Sequence, residues 1–170
     1  MTISTGTARA QFSVKRVYDA SIEEAWALWT TKSGIESWWG PEGFEVAVTS
    51  LDLRDAGGEL VYRMTATAPE QVAFIKQAGM PLTTECKVTY VEVSSPRRLA
   101  YKTLTDFVPG IEPYEVATVV ELKPTAGGVE MTITFDAMHD DVWTDRARAG
   151  HESQLRKLDA LFAAKGKARP

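Results

Sequence analysis

The sequence predicts one α+β domain in which a curved, seven-stranded antiparallel sheet wraps round a long C-terminal helix. Several stretches alternate apolar with polar residues and are separated by turns of hairpin length, and strands joined in this way pair antiparallel. Near the end, His151, Leu155, Leu158 and Phe162 fall on one face of a helix from Asp141 to Ala164. The apolar faces of sheet and helix must be buried against each other. A chain of 170 residues, 44% of them hydrophobic, is long enough to build that core.

The first part of the chain predicts one strand followed by two short helices. Residues 1–11 are mostly small and polar and are expected to form a disordered lead-in. Apolar and β-branched residues between Phe12 and Tyr18 indicate a strand. Ser21 and Glu24 then have the spacing of a capping box, which begins the first helix. A second short helix around 33–37 ends before the Gly-Pro pair that follows the two tryptophans.

The middle of the chain predicts six further strands and one inserted helix. Alternation places the strands at about 44–51, 60–65, 84–93, 98–105, 115–122 and 129–135. Between the third and fourth strands of the sheet, Thr67 and Glu70 have capping-box spacing and Pro69 suits a first helical turn. Gly79 is a typical residue for the end of that helix. We therefore expect a helix of about three turns to interrupt the sheet.

Composition excludes several classes of function. The formal net charge is −4 and there is no basic run, which is a poor match for nucleic acid. A single cysteine, Cys86, excludes an intrachain disulfide and is expected to be an inert strand residue. No apolar run approaches the ~20 residues of a membrane span, and the start of the chain has no signal-peptide pattern. We therefore expect a cytoplasmic protein with one domain over 12–164 and a frayed tail at 165–170.

Several short motifs, taken together in their order and spacing, resemble a known family. They are Val17–Trp26, Trp38-Trp39-Gly40-Pro41, Gly57-Gly58, Pro96-Arg97-Arg98-Leu99, Gly127-Gly128-Val129 and Gly150-His151 with Leu155 and Leu158. The chain resembles the START-like (SRPBCC) superfamily and, more narrowly, the activator of heat-shock protein 90 ATPase homologue family. The resemblance implies a helix-grip fold with a hydrophobic cavity between sheet and long helix. It covers nearly the whole chain.

Two departures from the family pattern concern the implied cavity. Many relatives have tryptophan after the glycine of the last helix, where this chain has His151. A smaller, polar side chain there predicts a larger pocket with one inward-facing hydrogen-bonding group. Many relatives also have a tight hairpin where this chain inserts the helix 69–79. The ligand of any relative is therefore a poor guide to the ligand of this chain.

Alternation and helical spacing give a set of candidate ligand-binding residues that would line the cavity. The set is Trp39, Tyr62, Met64, Tyr90, Tyr101, Phe135, His151 and Leu155. The same residues would equally serve a solid core, and the sequence does not separate the two hypotheses. The expected neighbours of His151 are Tyr62, Tyr101 and Leu155.

The inserted helix and one loop are expected to cover the mouth of the cavity. Phe74 and Ile75 on the helix, with Phe107 from the loop 106–113, form the predicted lid. A contact between two copies of the chain, in a homodimer, is the alternative role for this helix.

No motif predicts catalysis, a cofactor or a metal. The chain has no GxSxG, no glycine-rich phosphate loop and no HExxH. His139, Asp140 and Asp141 are next to one another, but acidic residues at a helix start are explained by capping and the helix dipole. His139 and His151 are also badly spaced as joint metal ligands.

Three hypotheses of function follow, in order of preference. The first is a binding protein for an apolar or amphipathic small molecule. The second, implied by the resemblance, is a partner of a chaperone. The third is an enzyme of the polyketide-cyclase or hydrolase kind with His151 as base, and we prefer a protein without catalytic activity.

Overall fold

The computed structural model describes residues 10–54, 56–106, 108 and 110–168, which form seven strands and four helices. The strands are β1 (Gln11–Tyr18), β2 (Phe44–Leu51), β3 (Glu59–Ala66), β4 (Thr83–Ser94), β5 (Arg98–Thr105), β6 (Tyr114–Thr125) and β7 (Gly128–Asp136). The helices are α1 (Ile22–Thr30), α2 (Lys32–Trp38), α3 (Pro69–Gln77) and α4 (Asp141–Ala168). Each predicted element is present in the predicted order.

The seven strands form one antiparallel sheet in the order β1-β7-β6-β5-β4-β3-β2. Sequential strands pair from β2 to β7, as short turns require. The first strand pairs with the last, and Phe12 lies opposite Phe135 in that register. The curved sheet encloses α4 in a helix-grip arrangement, which confirms the predicted fold.

Helices α1 and α2 are fixed by local hydrogen bonds. The Ser21 hydroxyl accepts from the Glu24 amide, and the Glu24 carboxylate accepts from the Ser21 amide, so the predicted capping box is present. Thr31 ends α1 and also begins α2, since its hydroxyl accepts from the Gly34 amide. A side chain at Gly34 would collide with the Ala27 carbonyl, so the glycine allows the two helices to meet closely.

Helix α3 is present, but its predicted capping box at Thr67 is wrong. The N-cap residue is Ala68, which makes no side-chain capping bond. The Thr67 backbone and hydroxyl both donate to the carbonyl of Gly43, which holds Thr67 outside the helix. The other end matches the expectation, because Gly79 has a positive φ of 72° and ends the helix.

The core lies between the concave face of the sheet and α4. Leu155, Leu158 and Phe162 of the predicted helical face are all buried. Several boundaries differ from the predictions by one to four residues: among them, β1 begins at Gln11 rather than Phe12, β6 continues to Thr125 rather than ending at 122, and α4 continues to Ala168 rather than ending at Ala164. The longer helix is consistent with its sequence, which has no proline or other strong breaker before Pro170.

Candidate functional site

Trp39 lies at the centre of an aromatic cluster between the helices and the sheet. Its ring centroid is 5.3 Å from that of Trp38 and 5.5 Å from that of Trp29. On the sheet side, it lies 6.2 Å from Tyr62 and 6.0 Å from Tyr101. The structure therefore brings three of the predicted lining residues together round one tryptophan, and it adds Trp29 and Trp38. We call these five residues the tryptophan cluster.

The indole nitrogens of two tryptophans in this cluster differ in hydrogen bonding. The Trp38 Nε1–H donates to the Leu28 carbonyl at 2.8 Å. Trp29 is only 3% exposed, and its Nε1–H has no hydrogen-bond partner among the described residues. A buried donor without an acceptor is unusual and costs about 1–3 kcal/mol. Trp29 thus offers a donor inside the cluster.

The two tyrosines of the cluster, and Tyr90 beside it, are neutral hydrogen-bonding groups. Tyr90 lies next to Tyr101, with ring centroids 6.4 Å apart, and both are buried. Burial raises the pKa of the Tyr62, Tyr90 and Tyr101 hydroxyls well above their ordinary value. At neutral pH each therefore keeps its proton and can donate as well as accept a hydrogen bond.

His151 lies against phenylalanine rings, which differs from its predicted surroundings. Its ring stacks on Phe135 with centroids 3.6 Å apart, and Phe12 is 6.3 Å away. Phe12 also stacks on Phe135 at 5.1 Å. Burial lowers the pKa of His151 from its ordinary value of 6.5 to about 4, so the ring is neutral at pH 7. The ring of Tyr62 contacts Trp39, and that of Tyr101 contacts Trp39 and Tyr90, rather than His151.

The remaining predicted lining and lid residues have different degrees of burial. Leu155 is buried and Met64 is partly buried against the core. On α3, Ile75 is buried, whereas Phe74 is 68% exposed and lies in solvent. The predicted lid residue Phe107 lies outside the described residues.

A groove lies where β1 begins, β7 ends and α4 begins. It has a volume of about 530 Å³ and is lined by residues 10–12, 137–141, 144 and 148. The guanidinium of Arg148 lies over the ring of Phe12, 4.2 Å from the ring centroid. Phe12 therefore lines the groove and also contacts the His151–Phe135 pair. We call this the Arg148 groove.

His139, at one side of this groove, is held by Tyr114. The Tyr114 hydroxyl accepts from the His139 backbone amide at 3.2 Å and lies 2.6 Å from the imidazole Nδ1. A hydroxyl that accepts from the amide can donate its own proton to Nδ1, which leaves Nε2 protonated and pointing towards Asp140, 3.6 Å away. The arrangement joins β6 to the segment before α4.

Sequence reasoning missed Trp29, Phe12 and Arg148 as candidate site residues. Trp29 is a buried residue of α1, and the sequence gives no sign that its indole donor lacks a partner among the described residues. Phe12 becomes a site residue only through the pairing of the first strand with the last. Arg148 precedes His151 by three residues, so helical spacing is a signal that could have found it.

No group of three or more His, Cys, Asp or Glu side chains among the described residues could hold a metal ion. No helix in the described part of the chain is both long and apolar enough to cross a membrane.

The antiparallel sheet closed round a C-terminal helix defines the class of helix-grip proteins. Within that class, residues 19–163 match the family described as activator of Hsp90 ATPase homolog 1-like protein. That range is more than half of the chain, and the chain therefore belongs to this family. Among curated proteins, none matches the chain significantly.

Solved structures support the same fold. A protein from Chromobacterium violaceum is 22% identical, with a TM-score of 0.70 over 89% of this chain and 96% of that one. An AHSA1 protein from Silicibacter pomeroyi is 20% identical, with a TM-score of 0.70 over 92% of this chain and 99% of that one. An AHSA1-like protein from Aeromonas hydrophila is 19% identical, with a TM-score of 0.63 over 89% and 94% respectively. At these identities the likeness concerns the fold.

Proposed function

We propose that the protein binds an apolar or amphipathic small molecule between the concave face of the sheet and α4. The observation that carries this proposal is the Nε1–H of Trp29, which is buried in an aromatic cluster and has no hydrogen-bond partner in the described part of the chain. Small-molecule sites are mostly apolar and contain a few polar groups that orient the ligand. An acceptor oxygen on a ligand would satisfy the donor and remove its energetic cost.

The two tyrosines of the cluster, and Tyr90 beside it, support the same proposal. The hydroxyls of Tyr62, Tyr90 and Tyr101 are all desolvated on folding. Within the protein, the Tyr62 hydroxyl bonds with Trp39 and Cys86 and the Tyr101 hydroxyl with Thr118. Around a ligand, the same hydroxyls select polar groups while the rings supply apolar contact. The helix-grip proteins that the chain resembles include lipid and hormone carriers, which agrees with this role.

A neutral fluorescent probe tests the proposal directly. N-phenyl-1-naphthylamine should bind the purified protein saturably, with a rise in its fluorescence, and native mass spectrometry should detect ligands that copurify. A protein that takes up no apolar probe and carries no small molecule would refute the proposal.

Two matched tryptophan variants test the role of the Trp29 donor. Trp29→Phe removes a donor without a partner among the residues that the structure describes, whereas Trp38→Phe breaks the hydrogen bond to the Leu28 carbonyl. Without ligand, Trp38→Phe should therefore lower the melting temperature more. The rise in melting temperature caused by a ligand with an acceptor oxygen, such as dodecanol, should shrink in Trp29→Phe. An unchanged rise would show that Trp29 does not contact the ligand.

A variant at His151 tests whether the space beside the Phe135 ring belongs to the site. His151→Trp introduces the larger residue that many relatives have there and should reduce probe uptake while the fold persists. His151→Phe is the control, because it keeps a ring of similar size against Phe135. Equal uptake by both variants and the unmodified protein would exclude His151 from the site.

The two other hypotheses have less support. The family description names an activator of the Hsp90 ATPase, and retention of Hsp90 in a pull-down is its test. For an enzyme, His151 would be a weak general base, since burial lowers its pKa to about 4 and efficient bases have values near the working pH. We therefore place ligand binding first.

A further inference from the structure

The Arg148 groove borders the interior of the protein at Phe12. One contact of the Phe12 ring is the stack on Phe135, with centroids 5.1 Å apart, and another is the Arg148 guanidinium at 4.2 Å. Phe135 in turn stacks on His151. The Phe12 ring therefore lines a groove of about 530 Å³ and also contacts the aromatic side chains beside α4.

The Arg148 guanidinium lies over an aromatic ring, that of Phe12. Among the described residues, no carboxylate forms an ion pair with it, whereas Arg156 pairs with Glu42 and Arg16 pairs with Glu152 and Asp159. A guanidinium has five N–H donors in a planar fork that matches a carboxylate. Its position over Phe12 leaves these donors available to a ligand in the groove.

The acidic side chains of the groove lie at its other end. Asp141 precedes Arg148 by seven residues on α4, which is about 10 Å along the helix axis. The Asp140 carboxylate is already used, since Oδ1 accepts from the Trp143 amide at 2.8 Å and begins the helix. The groove is therefore acidic where α4 starts and cationic beside Phe12.

We propose that the Arg148 groove is the entrance to the ligand site and that Arg148 pairs with the carboxylate of a single-chain amphipathic ligand. The apolar chain of the ligand passes Phe12 towards Phe135 and His151, and the acceptor oxygen that meets the Trp29 Nε1–H belongs to a second polar group further along that chain. His151 is neutral and adds no second charge to the interior. This inference rests on the proposed function and adds the chemical class of the ligand, a carboxylate with an unbranched apolar chain.

Three ligands of equal chain length and different headgroup charge test the inference. Dodecanoate, dodecanol and dodecylamine compete with N-phenyl-1-naphthylamine for the protein at neutral pH. Dodecanoate should bind about tenfold more tightly than dodecanol, the value expected for one charge-assisted pair with arginine. Dodecylamine should bind no more tightly than dodecanol.

Two arginine variants on the same helix locate the effect. Arg148→Gln should remove the preference for dodecanoate over dodecanol. Arg146→Gln is the matched control, because Arg146 also lies over an aromatic ring, that of Trp143 at 4.9 Å, but does not line the groove. The control should keep the preference. Thermal melts of both variants verify that the fold is retained.

The outcomes separate this inference from the proposed function. Equal affinities for dodecanoate and dodecanol, or the same loss of preference in both variants, would overturn the role of Arg148 and leave ligand binding intact. Failure of all three ligands to displace the probe, or absence of probe binding, would refute the proposed function and this inference together.

Discussion

His151 lies nearly parallel to Phe135, with ring centroids 3.6 Å apart and planes inclined by 24°. The stack places an imidazole where water has little access, and the cost of charging it there lowers its pKa to about 4. His151 therefore acts as a flat neutral ring that keeps two nitrogens for hydrogen bonds. A tryptophan at this position would fill the space and provide one donor only.

The depressed pKa of His151 predicts a loss of stability in acid. Above about pH 6.5 the imidazole is neutral in both the folded and the unfolded chain. Between about pH 6.5 and pH 4 the unfolded chain takes up a proton that the folded chain does not, so the free energy of unfolding falls as the pH falls. At 1.4 kcal/mol per pH unit, the loss is about 3 kcal/mol.

Urea unfolding across this pH range measures the effect. His151→Phe keeps the ring and removes the titrating group, so its free energy of unfolding should fall less steeply over the same range. Carboxylates titrate in both proteins, and the difference between them isolates the imidazole. Parallel pH profiles would contradict the prediction.

Lys157 predicts a second stability effect. Its Nζ donates to the backbone carbonyls of Trp39, Gly40 and Phe44 at 3.1–3.2 Å, which fixes α4 against the segment after α2. Lys157→Met should lower the free energy of unfolding by about 2 kcal/mol, because the carbonyls lose a charged donor. Arg156→Met, at the preceding residue of the same helix, is the control. It breaks an exposed ion pair with Glu42 and should cost less than about 1 kcal/mol in the same urea titration. Equal losses would contradict the role of Lys157.

Two adjacent glycines in the β6–β7 turn should respond differently to the same substitution. Gly128 has a φ of 153°, and a side chain there would collide with the Tyr18 carbonyl at the edge of the β1–β7 pairing. A side chain at Gly127 would meet open space. Gly128→Ala should therefore destabilise the protein by at least about 2 kcal/mol, and Gly127→Ala by much less. Thermal unfolding of both variants measures the contrast, and similar melting temperatures would refute it.

Local and distant contacts explain which features the sequence could predict. The bond between Ser21 and Glu24 spans three residues, and the sequence pattern identifies it. The same pattern predicted a capping box at Thr67 that is absent, because the Thr67 hydroxyl instead donates a hydrogen bond to the carbonyl of Gly43, which is distant in the chain. Alternation and helical spacing predicted the positions of the strands and α4, because both periodicities depend only on which residues of an element face the core.

The candidate site depends more on contacts between distant parts of the chain. The residues round Trp39 come from α1, α2, β3 and β5, and alternation predicted only which of them point inward. The stack of Phe12 on Phe135 requires the pairing of the first and last strands. The carbonyls that bind Lys157 are backbone atoms and leave no residue-specific pattern in the sequence.

The backbone amides of helix α3 should be weakly protected from hydrogen exchange, as expected of a lid. Its N-cap is Ala68, which makes no capping bond, and Ile75 is its one buried residue within the described chain. Backbone amides of α3 should therefore exchange with deuterium sooner than those of β7, which is paired on both sides. Binding of a ligand should slow the hydrogen exchange of the α3 amides if the helix covers the site.

Ala68→Ser tests the cause of this local instability. A serine hydroxyl at the N-cap can accept from a free amide of the first turn, which stabilises a helix by about 1 kcal/mol. Exchange in α3 should slow by roughly fivefold, the factor that corresponds to this free energy, while β7 is unchanged. Protection of α3 equal to that of β7 in the unmodified protein, with no response to ligand, would instead indicate a fixed packing element or a contact between two copies of the chain.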